Sequence, residues 1–80
     1  MNNSDDPHAP TPEPRGQLDI LYENGYTTRF LDAMPVLRRA YDLLMRGLAA
    51  DSHEFAQLTL THGPALVRLD HVTAVVLRED

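Results

Sequence analysis

Three histidines, His53, His62 and His71, recur at nine-residue intervals, with Glu54 and Asp70 beside two of them. Imidazole and carboxylate are the ligand types of zinc and copper sites. Imidazole also titrates near neutral pH, as a general base must. Compact metal motifs set two histidines four residues apart on one helix face, and no pair here has that spacing. All three fall instead at predicted loops or strand ends, where His serves as a polar turn residue. The chain has no Cys, which removes thiolate catalysis, disulfides and cysteine-ligated zinc. Ser4 lies in the N-terminal segment and Ser52 in a polar connection, neither in the strand-to-helix turn that exposes a nucleophile. The glycines Gly16, Gly25, Gly47 and Gly63 stand apart, each beside a predicted turn or helix end, and form no loop that cradles phosphates. The expectation is a chain that is not an enzyme and carries no cofactor and no metal.

Arginine supplies all seven of the Lys and Arg cations against twelve carboxylates, for a net charge of −5. The plain source of such usage is a GC-rich coding bias, which points to a bacterial or phage genome. The functional source is a need for bidentate contacts. Arg38, Arg39 and Arg46 fall on the outer surface of a predicted helix, where they could meet phosphates. Asp42 sits among them and can pair with Arg38 or Arg46 one turn away. The negative balance also repels a polyanion. Nucleic-acid binding through these arginines is therefore the alternative and not the first expectation. Tyr22, Tyr26 and Phe30 would suit base stacking, but alternation assigns them to the core face.

Two candidate hairpins flank one candidate helix and must position all of these groups. Leu18-Asp19-Ile20-Leu21-Tyr22 leads into Asn24-Gly25, a pair suited to a type I′ turn, and Tyr26 to Phe30 leads out. Asp32 is placed to cap a helix that ends at Gly47 or runs to Ala50, with Pro35 in its first turn, where the missing N–H costs no bond. Met34, Leu37, Tyr41, Leu44 and Leu48 follow at steps of three and four. Ala33, Val36, Ala40 and Leu43 widen that stripe, and Met45 also reads as packing. After a polar connection, Phe55 reads as a core plug. Leu58 to Leu60, a turn at 61–64 and Ala65 to Leu69 form the second hairpin. Asp70-His71 makes a corner before a last strand at Thr73 to Leu77. The expected fold class is α+β, in the order β-β-α-β-β-β, with one antiparallel sheet and the helix on one face.

Eighty residues allow one domain. Residues 1–17, with Pro7, Pro10, Pro12 and Pro14 among Asn, Asp and Ser, hold no large apolar side chain after Met1. Such a segment buries too little to offset its ordering entropy, so it is expected to be a disordered acidic tail. The folded domain is then 18–80. No apolar run approaches the ~20 residues of a membrane span, and no basic start precedes an apolar block as in a signal peptide. A cytoplasmic protein without membrane association is expected.

Alternation divides the strands into two faces. Leu18, Ile20, Tyr22, Phe30, Leu58, Leu60, Val67, Leu69, Val75 and Leu77 face the helix. The other face takes Asp19, Leu21, Glu23, Thr27, Arg29, Thr59, Arg68, Val76 and Arg78, with Leu66 nearby. It reads equally as solvated sheet or as an interface, and nothing in the sequence covers it. Leu21, Arg29, Leu66, Arg68, Val76 and Arg78 are the candidate partner-binding residues. A small domain with a thin core favours a homodimer. The leading functional expectation is a non-catalytic regulator, adaptor or inhibitor that binds a protein. Its acidity would let it compete for the basic surface of a nucleic-acid-handling protein. The alternatives are the arginine-based nucleic-acid regulator and a small-ligand or metal-binding domain built on the histidines.

Overall fold

A computed structural model of the chain describes residues 14–50 and 55–80. The elements run β1 (Arg15–Tyr22), β2 (Thr27–Ala33), α1 (Met34–Ala49), β3 (Phe55–Leu60), β4 (Gly63–Arg68) and β5 (Val72–Glu79). This is the small α+β fold, in the predicted order. Its strands form two antiparallel sheets where one was expected: a three-stranded sheet β2-β1-β5 and a two-stranded sheet β3-β4. The Leu69–His71 corner separates them. There Val72 N–H donates to Leu69 O at 3.2 Å and Glu23 N–H donates to His71 O at 2.9 Å. The chain is thereby directed off β4 and onto β1, so the two hairpins share no ladder.

α1 packs against both sheets. Leu18, Ile20, Leu37, Leu44 and Leu58 are fully buried, joined by Met34, Ala40, Ala56, Val67 and Leu69. Tyr22, Phe30, Leu60, Val75 and Leu77 pack around them, so the predicted core face does face the core. Tyr26, expected on that face, is 74% exposed. The cause is the turn. Tyr22 N–H bonds Tyr26 O and Gly25 N–H bonds Tyr22 O, both at 2.9 Å, which leaves a three-residue loop in place of a two-residue I′ turn. Gly25 takes φ of 91°, the left-handed residue that such loops require.

Other expectations change as well. Asp32 does not cap the helix: Ala33 holds the cap position, and Asp32 is buried at the end of β2. Phe55 is no core plug, because Ala56 and Leu58 point inward and Phe55 is left 60% exposed. β1 begins at Arg15, three residues before the predicted domain start. Gly16 lies inside that strand, where an added Cβ would collide with Met34 Sδ and the Arg78 carbonyl oxygen. The glycine is there for close packing. Gly47 is similar, since a Cβ there would sit 2.6 Å from Leu69 Cδ1. Met45, read as packing, is 40% exposed. Residues 1–13, which hold most of the expected tail, lie outside the described residues. Among those described, no helix is long and apolar enough to cross a membrane.

Candidate functional site

The six candidate partner-binding residues fall on two different sheets. Leu21, Arg29, Val76 and Arg78 lie on the outer face of the three-stranded sheet. At its centre Asp19, 6% exposed, accepts from Arg29 Nε at 2.8 Å and from a second Arg29 nitrogen at 3.2 Å. Arg78 approaches the same carboxylate at 3.4 Å. The Arg29 hydrogen bond holds Asp19 below the usual carboxylate range, against the upward push of burial and with further help from the charges of Arg29 and Arg78. Arg29 is held correspondingly higher by that same bond. Both arginines are thus engaged in neutralising a buried carboxylate, which limits what they can offer a partner.

Leu66 and Arg68 lie on the outer face of the β3–β4 hairpin. The register sets Phe55 opposite Arg68, Gln57 opposite Leu66 and Thr59 opposite Pro64, and all six side chains are exposed. Leu66 is 66% exposed. The Arg68 guanidinium stands 6.0 Å from the Phe55 ring centroid, within reach of a cation–π attraction. Carrying the two-residue period of Ala56, Leu58 and Leu60 back one step would have placed Phe55 on this face from sequence. Its bulk suggested burial instead.

Arg68 also borders a cleft of about 330 Å³ lined by Tyr22, Glu23, Asn24 and His71. Here the first hairpin turn meets the β4–β5 corner. His71 Nδ1 lies 3.0 Å from Glu23 Oε1 and its Nε2 lies 3.6 Å from Asp70 Oδ2. Arg68 donates to Asp70 Oδ2 at 2.9 Å. That bond, opposed by burial and reinforced by the charges of Arg68 and His71, holds the Asp70 carboxyl below its ordinary range. Asp70 Oδ1 is buried without a hydrogen-bond partner among the described residues. The cluster can hold a polar group at the corner, but among the described residues no hydroxyl is hydrogen-bonded to the imidazole. A second cleft, of about 290 Å³, runs between α1 and the hairpin along Arg39, Ala40, Leu43 and Gln57 to Thr59. The exposed hairpin face is thus bordered by one cleft at Arg68 and by another at Gln57 and Thr59.

The two described histidines do not converge. His62 sits in the β3–β4 turn and His71 beyond the far end of β4, a strand length away. His53 lies outside the described residues. Among those described, no three His, Asp or Glu side chains come together as a metal site would need. On the helix, Arg38, Arg39 and Arg46 are exposed, and Asp42 pairs with Arg46 at 2.5 Å. Comparison with protein-family models, curated proteins and solved structures finds no match to this chain.

Proposed function

We propose that this chain is a small non-catalytic protein-binding module, a regulator, adaptor or inhibitor, and that the outer face of the β3–β4 hairpin is where it binds. The observation that carries this reading is the exposure of Phe55, Leu66 and Pro64 on one two-stranded face. Aromatic and arginine side chains are the groups enriched at protein interfaces. Here Phe55 supplies apolar area, Arg68 supplies directional donors, and no carboxylate stands among the six residues of the face. The net charge of −5 adds a long-range field that favours a basic partner. Complementarity would then come in two parts, attraction at a distance and apolar burial on contact.

Leu66→Asp tests it. Leu66 is outside the core, so the variant should melt as the wild type does. Immobilised wild type, Leu66→Asp and Arg38→Ala chains are compared for retention from a native lysate. A protein held by wild type and by Arg38→Ala, and lost by Leu66→Asp, supports the hairpin face. Equal retention by all three would reject it. Retention of nucleic acid that falls steeply with salt, or a rise in melting temperature on adding zinc, would favour the arginine or histidine alternatives instead.

A further inference from the structure

β5 is an edge strand of the three-stranded sheet, and the ladder shows which of its backbone groups face outward. Asp80 N–H donates to Arg15 O at 3.0 Å. Bonded and non-bonded pairs alternate in an antiparallel ladder. Gln17–Arg78, Asp19–Val76 and Leu21–Ala74 are therefore the bonded pairs of the observed register. Val75, Leu77 and Glu79 aim their N–H and C=O groups the other way, toward an edge that no described strand occupies. Burial gives a second observation. Leu18 and Ile20 on β1 are fully buried, yet Leu77 and Val75, opposite them on β5, are only half-buried. The apolar layer runs to this edge and stops unfinished.

We infer that β5 pairs antiparallel with β5 of a second copy, across a two-fold axis at Val76, to make a six-stranded sheet in the order β2-β1-β5-β5-β1-β2. The strand's own residues select that partner and register. An axis at Val76 sets Val75 opposite Leu77 of the partner subunit, and Leu77 opposite the partner's Val75. The inner apolar row is thereby extended twice over. Arg78 then meets the partner's Ala74, and Glu79 meets the partner's Thr73. Axes at Arg78 or Glu79 would set like charges directly opposite, which is destabilising. An axis at Leu77 would bring the partner's Glu79 against Val75 on the inner face. Arg78 and Glu79 are the only charges on β5, and it has no proline, so it lacks most of the devices that keep edges apart. This edge is distinct from the hairpin face, and the two can be tested separately.

Val76→Cys tests the pairing in the full chain, which has no other cysteine. Directly opposed residues of a non-bonded antiparallel pair have Cα atoms about 4.5 Å apart, inside the ~4.4–6.8 Å that a disulfide spans. Ala74→Cys is the control: its partner copy would lie four residues along the strand, about 14 Å away. Under mild oxidation Val76→Cys should run at twice the 9.0 kDa chain mass, while Ala74→Cys should not. Wild type should sediment as a dimer at tens of micromolar. Val76→Lys, which places two ammonium groups opposite each other on the outer face, should sediment as a monomer with the wild-type circular dichroism spectrum. Leu66→Asp introduced beside Val76→Cys should leave the cross-link intact. Equal cross-linking of both cysteine variants, none in either, or a wild type that stays monomeric as its concentration rises would each overturn the inference.

Discussion

Asp32, at the end of β2, accepts from Thr61 twice, from its N–H at 2.9 Å and from its Oγ1 at 2.5 Å. These bonds tie the three-stranded sheet to the tip of the β3–β4 hairpin across 29 residues of chain. The same carboxylate accepts from Ala33 N–H at 2.8 Å. A group this buried needs such partners, because leaving it unpaired carries the full desolvation penalty. Thr61→Val removes the hydroxyl donor and keeps the backbone donor. It should cost about 1.5–3 kcal/mol, the range for a hydrogen bond to a charged group, read by urea denaturation. A variant as stable as wild type would show that the Thr61 hydroxyl adds nothing to the join between the sheets.

Acid should unfold the protein through its carboxylates. Burial alone would push the Asp32 carboxyl up, but the Thr61 and Ala33 hydrogen bonds and the charge of Arg15 outweigh it and hold the group below 3.8. Asp19 and Asp70 are lowered from the same value. A carboxylate with a depressed folded pKa binds fewer protons folded than unfolded, so its stabilisation is complete above the unfolded pKa and lost as pH falls through the folded one. Melting temperature should be nearly level from pH 7 to about 5 and drop below about pH 4. Asp19→Asn should flatten the drop, and a melting temperature that rises on acidification would contradict the assignment.

Leu44→Ala should cost about 2–5 kcal/mol through lost transfer energy and the cavity left behind. Leu44 is fully buried on the core face of α1. Arg39→Ala, on the exposed helix side, should leave the melting curve unchanged.

The N-terminal boundary has a sharp test. Met34 N–H donates to Pro14 O at 2.8 Å, Arg15 pairs with Ala33, and Gly16 lies between Asp32 and Glu79. A chain beginning at Pro14 should melt with the full chain. One beginning at Gln17 should lose more than about 1 kcal/mol, a large effect for so small a change.

Gly16→Ala should destabilise by about 1–3 kcal/mol through overpacking, since the new methyl group meets the Arg78 backbone and cannot be relieved by a side-chain rotation alone.

Much of this architecture was legible because alternation is a strong signal wherever one face is buried. Leu18, Ile20, Leu58, Val67, Val75 and Leu77 fall on the predicted side. What alternation does not specify is where a sheet ends. Nothing local to Leu69-Asp70-His71 distinguishes a corner that continues a sheet from one that leaves it, so a single sheet was expected. Asp32 has the local features of a helix cap, and only a tertiary partner 29 residues away assigns it elsewhere. Gly16 follows a proline-rich stretch, and its packing role depends on Met34 and Arg78. The docking face was half visible, in Leu66 and Arg68. Its aromatic member was missed because large apolar residues are more often inside than outside.

The separation of the hairpin from the other sheet has a consequence for motion. β3 and β4 share no ladder with β1, β2 or β5. Among the described residues their attachments are apolar packing on α1, the Asp32–Thr61 bonds and the corner at Leu69. An element held in this way can open without unravelling the rest, as a cooperative unit of its own. Amide protons of Ala56, Leu58 and Val67 should then exchange with deuterium faster than those of Leu18 and Ile20, and that order should persist in Thr61→Val.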